Sequence, residues 1–137
     1  MKVIIANTQK ELVEHFMIRG QVFIIEQEID WAIEFDGLDH ECVLFNAYID
    51  DTIVGAARLY HNKVGRVATL KQYRKHGVGT ALMDAIESYA KTKGINTLVL
   101  NAQLYIKDFY DHLGYIAEGD IFQEAEIDHI RMIKKLS

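Results

Sequence analysis

The spacing of apolar positions divides the chain into alternating short elements. Lys2 to Ala6 reads as a strand. Thr8 and Glu11 then form a capping box, opening a helix whose apolar residues Leu12, Val13, Phe16 and Met17 follow helical spacing. Gly20 interrupts that stripe, and Val22 to Glu26 is expected as a second short helix. Glu28 to His40, polar and Asp-rich around Trp31, reads as a long surface loop. Three strands follow as an antiparallel meander: Glu41 to Ile49, Thr52 to Tyr60 and Val64 to Leu70. From Val78 the period changes to a helical stripe through Leu82, Ala85, Ile86 and Tyr89, closed by Gly94. The continuous apolar run from Ile95 to Leu100 predicts a strand buried on both faces. A short helix from about Ile106 to His112 and two last strands, Tyr115 to Glu118 and Asp128 to Ile133, complete the chain. This order implies an α/β (α+β) fold, a mixed and mostly antiparallel sheet of six to seven strands with helices on its faces.

Composition narrows the function. At 137 residues the chain is sized for a single domain, 1–137, with one full core. A net charge of −5 argues against nucleic acid as a partner, since phosphate binding needs clustered Lys and Arg. No apolar run approaches the roughly 20 residues of a membrane span, and the N-terminus turns polar too soon for a signal peptide. The lone Cys42 cannot form an internal disulfide, which fits a cytoplasmic location, and its place in the run Cys42-Val-Leu-Phe45 suits a buried structural thiol.

The segment with the most chemistry is Arg66-Val-Ala-Thr-Leu-Lys-Gln-Tyr-Arg-Lys-His-Gly-Val-Gly-Thr80, where a strand runs through a loop into a helix. Residues without Cβ at Gly77 and Gly79 let the backbone approach a phosphate and turn N–H groups inward. The helix that follows adds unpaired N–H groups and the positive end of its dipole. Arg74 and Lys75 add charge beside the same anion, so the arrangement suits a pyrophosphate.

With the strand Val67-Ala-Thr69 before it, Arg74-Lys-His-Gly77-Val-Gly79 resembles the acetyl-CoA signature of the GNAT N-acetyltransferase superfamily. Phe109-Tyr110-Asp-His-Leu-Gly114-Tyr115 is similar to that family's segment near the C-terminus. Arg19-Gly-Gln-Val22-Phe23-Ile-Ile-Glu26-Gln27, Glu34-Phe-Asp36, Leu100-Asn101-Ala102-Gln103 and His129-Ile-Arg-Met132 are similar to its ElaA-like subgroup.

The resemblance implies acetyl-CoA as the acetyl donor and a small-molecule amine as acceptor, with pairing into a homodimer left open; no metal is expected, since no His or carboxylate pair has ligand-like spacing beside a cysteine or second His. It implies that the strand of Val67, Ala68 and Thr69 splays from the strand ending near Asn101. The pantetheine arm then completes the sheet, and an N–H of the Val67–Thr69 stretch holds the thioester oxygen. Arg74, Lys75, His76, Gly77, Val78, Gly79 and Thr80 form the cofactor loop, His76 through its backbone. Tyr110 matches the family's general acid toward the sulfur. Many members place a Glu where this chain has Asn101, so Glu26 becomes the substitute base, acting directly or through water. Asn101, Gln103 and His129 are expected to line the acceptor pocket. The acidic residues Glu26, Glu28, Asp30, Glu34, Asp36 and Asp39 read as a solvated run.

Two other functions compete. A dinucleotide binder shares Gly77-Val78-Gly79, but Leu82 occupies the third glycine position of that motif. A coenzyme A sensor without turnover is kept open by the amide at Asn101.

Overall fold

The computed structural model describes residues 1–136. Strand β1 (Lys2–Ile5) leads into helix α1 (Gln9–Arg19). The one-turn helix α2 (Trp31–Glu34) precedes the meander β2 (Cys42–Ile49), β3 (Thr52–Tyr60) and β4 (Lys63–Thr69). Helix α3 (Val78–Thr92), strand β5 (Thr97–Gln103), helix α4 (Lys107–His112) and the hairpin β6 (Ile116–Glu124) and β7 (Ile127–Lys135) follow. The strands form one seven-stranded sheet in the order β1-β2-β3-β4-β5-β7-β6. All pairs are antiparallel except β4 with β5.

The two faces of the sheet bury different partners. On one, Val78, Leu82, Met83, Ile86 and Ala90 of α3 pack with Leu98, Leu100, Ala102, Ile130 and Met132 of the sheet. On the other, Ile18, Val22 and Phe23 pack against Ile53, Ala56 and Ala68. Gly55 sits where α3 meets β3, and a Cβ there would lie 2.6 Å from Val78 Cγ1 and 3.0 Å from the Ala68 carbonyl oxygen.

The capping box forms as expected, with the Glu11 N–H donating to Thr8 Oγ1 at 3.2 Å and the Thr8 N–H to Glu11 Oε1 at 3.0 Å. Three expectations are corrected. First, Gly20 does not break the helix: it stays right-handed at φ −62°, and the chain continues as a π-helix over Gly20–Glu26. The apolar face of Ile18, Val22 and Phe23 runs across Gly20, and its packing outweighs the ~1 kcal/mol helix penalty of one glycine. Second, the segment from Glu28 to His40 contains α2 and the start of a 3₁₀ turn, Asp39–Glu41, and although most of it is exposed, Glu34 is buried. Third, β6 runs on to Glu124 and β7 starts at Ile127, because both strands pair up to the turn.

That second correction involves charge. Glu34 is 2% exposed and Arg19 fully buried, so the acidic run is not simply a solvated loop. Arg19 Nε donates to Glu34 Oε2 at 2.7 Å and its Nη1 to Asp39 Oδ1 at 2.6 Å. Arg58 bonds Asp36 and Asp39, and Arg66 Nε stands 3.0 Å from Glu34 Oε1. Three guanidinium groups thus balance three carboxylates.

The feature that positions the site lies at the centre of the sheet. β4 and β5 pair only at Lys63 with Val99 and Val64 with Leu100. Beyond that point Ala57 of β3 faces both Arg66 and Val67, a bulge that turns β4 away. Arg66 adopts φ +52°, a conformation usually left to glycine. Its guanidinium also donates to the carbonyls of Ile33 and Glu34, which anchors the strained residue.

Candidate active site

Where β4 leaves β5, a cavity of about 1030 Å³ opens, large enough for an extended cosubstrate arm and an acceptor together. Its walls include Val67, Ala68, Thr69, Arg74, Lys75, Gly77, Val78, Gly79, Thr80, Asn101, Gln103, Tyr110 and His129. Of the other residues named from the sequence, His76 and Glu26 are outside this wall, although Glu26 reaches it through Arg74.

Backbone geometry makes one end of the cavity an anion receptor. Lys75 and Gly77 have φ of +66° and +80°, and Gly77 is the N-cap of α3 with no side-chain cap. The first helical bond is the Ala81 N–H to the Gly77 carbonyl. The N–H groups of Val78, Gly79 and Thr80 therefore have no partner within the helix and carry the positive end of its dipole. A Cβ on Gly77 would meet nothing within 4 Å, which leaves the approach open. Gly79 is small for a different reason: a Cβ there would lie 3.1 Å from the Phe109 ring.

Arg74 links this loop to the first helical layer. Its Nε donates to the Thr69 carbonyl at 3.0 Å, and its two terminal nitrogens each donate to a Glu26 carboxylate oxygen at 2.6 Å. The Glu26 carboxyl is held below its ordinary range, chiefly by that hydrogen bonding. A carboxylate so engaged is a weaker proton acceptor than an unpaired one.

Tyr110 projects from α4 between Phe109 and Tyr115, whose ring centroids lie 4.9 and 6.0 Å from its own. It is 5% exposed, and burial with a smaller effect of Tyr105 pushes its phenol well above the ordinary value. The group therefore stays protonated at neutral pH. Across the sheet, Gln103 Nε2 donates to Gln27 Oε1 at 2.9 Å, tying the end of β5 to the end of the π-helical segment. His129 Nδ1 is 2.7 Å from the Ile127 carbonyl.

Sequence reasoning missed Gln27 as a wall residue, although it ends the run Arg19 to Gln27. Arg66 and Glu124 carried no signal at all, since one depends on a bulge and the other on a hairpin register. Cys42 is half-buried and donates from Sγ to the Leu38 carbonyl at 3.3 Å, and burial pushes its thiol up.

A parallel strand pair that opens beside an uncapped helix N-terminus is the arrangement that the resemblance to acyl-CoA-dependent acyltransferases leads one to expect. The chain matches the family model "Acetyltransferase (GNAT) domain" over residues 4–136, and it belongs to that family. YjcF of Bacillus subtilis, described as an uncharacterized N-acetyltransferase, is 34% identical over 98% of this chain and 99% of its own. Protein ElaA of Escherichia coli is 26% identical over 87% of this chain and 84% of its own. An acyl-CoA N-acyltransferase from Pseudomonas aeruginosa superposes with a TM-score of 0.87 at 26% identity, covering 98% of this chain and 99% of that one. The protein is thus an acyltransferase of the N-acetyltransferase type.

Proposed function

We propose that this chain, acting as a single unit over 1–137, moves the acetyl group of acetyl-CoA to a primary amine by direct attack in a ternary complex. The observation that carries the reading is the meeting of the uncapped α3 N-terminus, the open β4 edge and Tyr110 in one cavity. Bound there, acetyl-CoA supplies an acetyl group already activated as a thioester. The N–H groups of Val78, Gly79 and Thr80, with Arg74 and Lys75, hold its pyrophosphate. The edge of Val67–Thr69 that faces β5, left open while the other edge pairs with β3, accepts the amides of the pantetheine arm and turns one N–H toward the carbonyl oxygen. Asn101 and Gln103 orient the acceptor, and Tyr110 donates a proton to the departing sulfur.

The position of the only thiol supports direct attack. Cys42 is outside the cavity wall, so Cys42→Ala should retain most turnover. An acetylated Cys42 formed in step with turnover would overturn that route.

Thermal unfolding tests the central claim. Acetyl-CoA should raise the melting temperature, and by mass action a concentration 100-fold above Kd corresponds to about 2.7 kcal/mol. Gly77→Asp places a carboxylate in the anion site and should abolish the shift. No shift for the unmodified protein at millimolar acetyl-CoA would refute the reading.

A further inference from the structure

The residue that removes the proton from the acceptor amine is not evident from the family signature, because Asn101 stands where an acid is common and Glu26 is engaged by Arg74. Strand alternation narrows the search. Leu98, Leu100 and Ala102 of β5 and Ile130 and Met132 of β7 belong to the α3 face of the sheet. Asn101, Gln103 and, in register opposite Gln103, His129 therefore point to the other face, that of α1. Gln103 meeting Gln27 agrees with this. Tyr110 packs within the α3-face core, so Tyr110 and His129 approach the opening between β4 and β5 from opposite sides.

The ring of His129 is fixed. It is 6% exposed and stacks on Phe122 at 6.0 Å with 26° between planes. The Ile127 carbonyl can only accept, so Nδ1 carries a proton and donates it over 2.7 Å. In the neutral ring Nε2 is then the basic nitrogen. It faces Glu124 Oε2 at 3.6 Å, a carboxylate suited to stabilise the cation that forms when Nε2 takes a proton. Gln103 lies opposite His129 in register on β5, and Asn101 and Tyr105 line the same cavity. On its own strand face Arg131 pairs with Glu118 at 3.4 Å. A histidine with one nitrogen anchored by a carbonyl and the other open to a cavity beside a carboxylate has the arrangement of a general base.

We propose that His129 is the catalytic base that takes the proton from the acceptor ammonium, with Glu124 as its positioning partner. The inference rests on the proposed amine acetyltransferase reading of this cleft. His129 Nε2 removes one proton from the ammonium, and the freed nitrogen lone pair forms the C–N bond with the acetyl carbon. As the C–S bond breaks, Tyr110 gives its proton to sulfur and recovers one from the amide nitrogen that is forming. His129 then releases its proton to solvent, so one proton leaves per turnover.

His129→Asn keeps an N–H for the Ile127 carbonyl and removes the base. Acetyl transfer by both proteins would be followed as thiol release, with ethylamine and spermidine as acceptors charged at pH 7 and methoxyamine as one already neutral there. With the charged amines, kcat/KM at pH 7 should fall by about 10² or more and should rise with pH toward the amine's own pKa instead of levelling off, and coenzyme A affinity should be unchanged. With methoxyamine the loss should be less than about tenfold, because no proton need be removed before attack. Equal losses on all three amines, or a charged-amine profile in the variant that still levels off as in the unmodified protein, would overturn the assignment of His129 while leaving the acetyltransferase reading in place. No thiol release by the unmodified protein with any of the amines would instead count against the acetyltransferase reading itself, and the inference would fall with it.

Discussion

His15 is fully buried and kept neutral by its neighbours. Asn46 donates to the Glu11 carbonyl and to Tyr48, so its Oδ1 accepts from His15 Nδ1, and Arg19 donates to Nε2. Burial, reinforced by the Arg19 charge, pulls its pKa from 6.5 to about 4. A histidine depressed on folding contributes stability that is full above 6.5 and lost as pH falls through about 4, here on the order of 3 kcal/mol. Urea unfolding at a series of pH values should show that decline, and His15→Gln should flatten it. Asp36 titrates lower still: hydrogen bonds from Arg58 hold its carboxyl far below the ordinary 3.8, so its contribution disappears only in stronger acid. Arg19→Met would leave Glu34 and Asp39 without their buried partner and should cost about 3 to 5 kcal/mol, read as a lower urea midpoint. Tyr110→Phe preserves the ring and its packing, so coenzyme A affinity should hold while kcat falls by about 10². An unchanged kcat would assign Tyr110 to the core alone.

At the scale of elements, legibility followed locality. The stripe of α3, its loop and the capping box of α1 are each set by residues a few positions apart, and all were readable from spacing. The ion cluster was not, because Arg19, Arg58 and Arg66 meet Glu34, Asp36 and Asp39 across 15 to 32 residues, and only the folded chain brings them together. Strand β6 was read too short for another reason: most of its residues are exposed, so no alternation marks it. The bulge in β4 left no trace because its positive φ falls on Arg66, where a glycine would have signalled it. The junction of β3 with α3 is testable. Gly55→Ala forces Val78 or the β4 backbone to shift and should destabilise by about 1 to 3 kcal/mol, measured in urea. Gly77→Ala has open space but the wrong φ, so it should lose only about 1 to 2 kcal/mol of stability.

For the whole molecule, the opening between β4 and β5 makes the sheet two plates, β1-β2-β3-β4 and β5-β7-β6. They are joined by two residue pairs, by α3 and by bridges such as that from Gln27 to Gln103. A ligand that adds a strand there would close a seam, not merely fill a hole. Amide hydrogens of Gly65 to Thr69 should exchange faster than those of the strand cores on either side, and acetyl-CoA should slow them together. The protein's resistance to proteolysis along that line would then rise and fall with the supply of its own acyl donor. A cell short of acetyl-CoA would lose not only the turnover of this enzyme but also, in time, some of the enzyme.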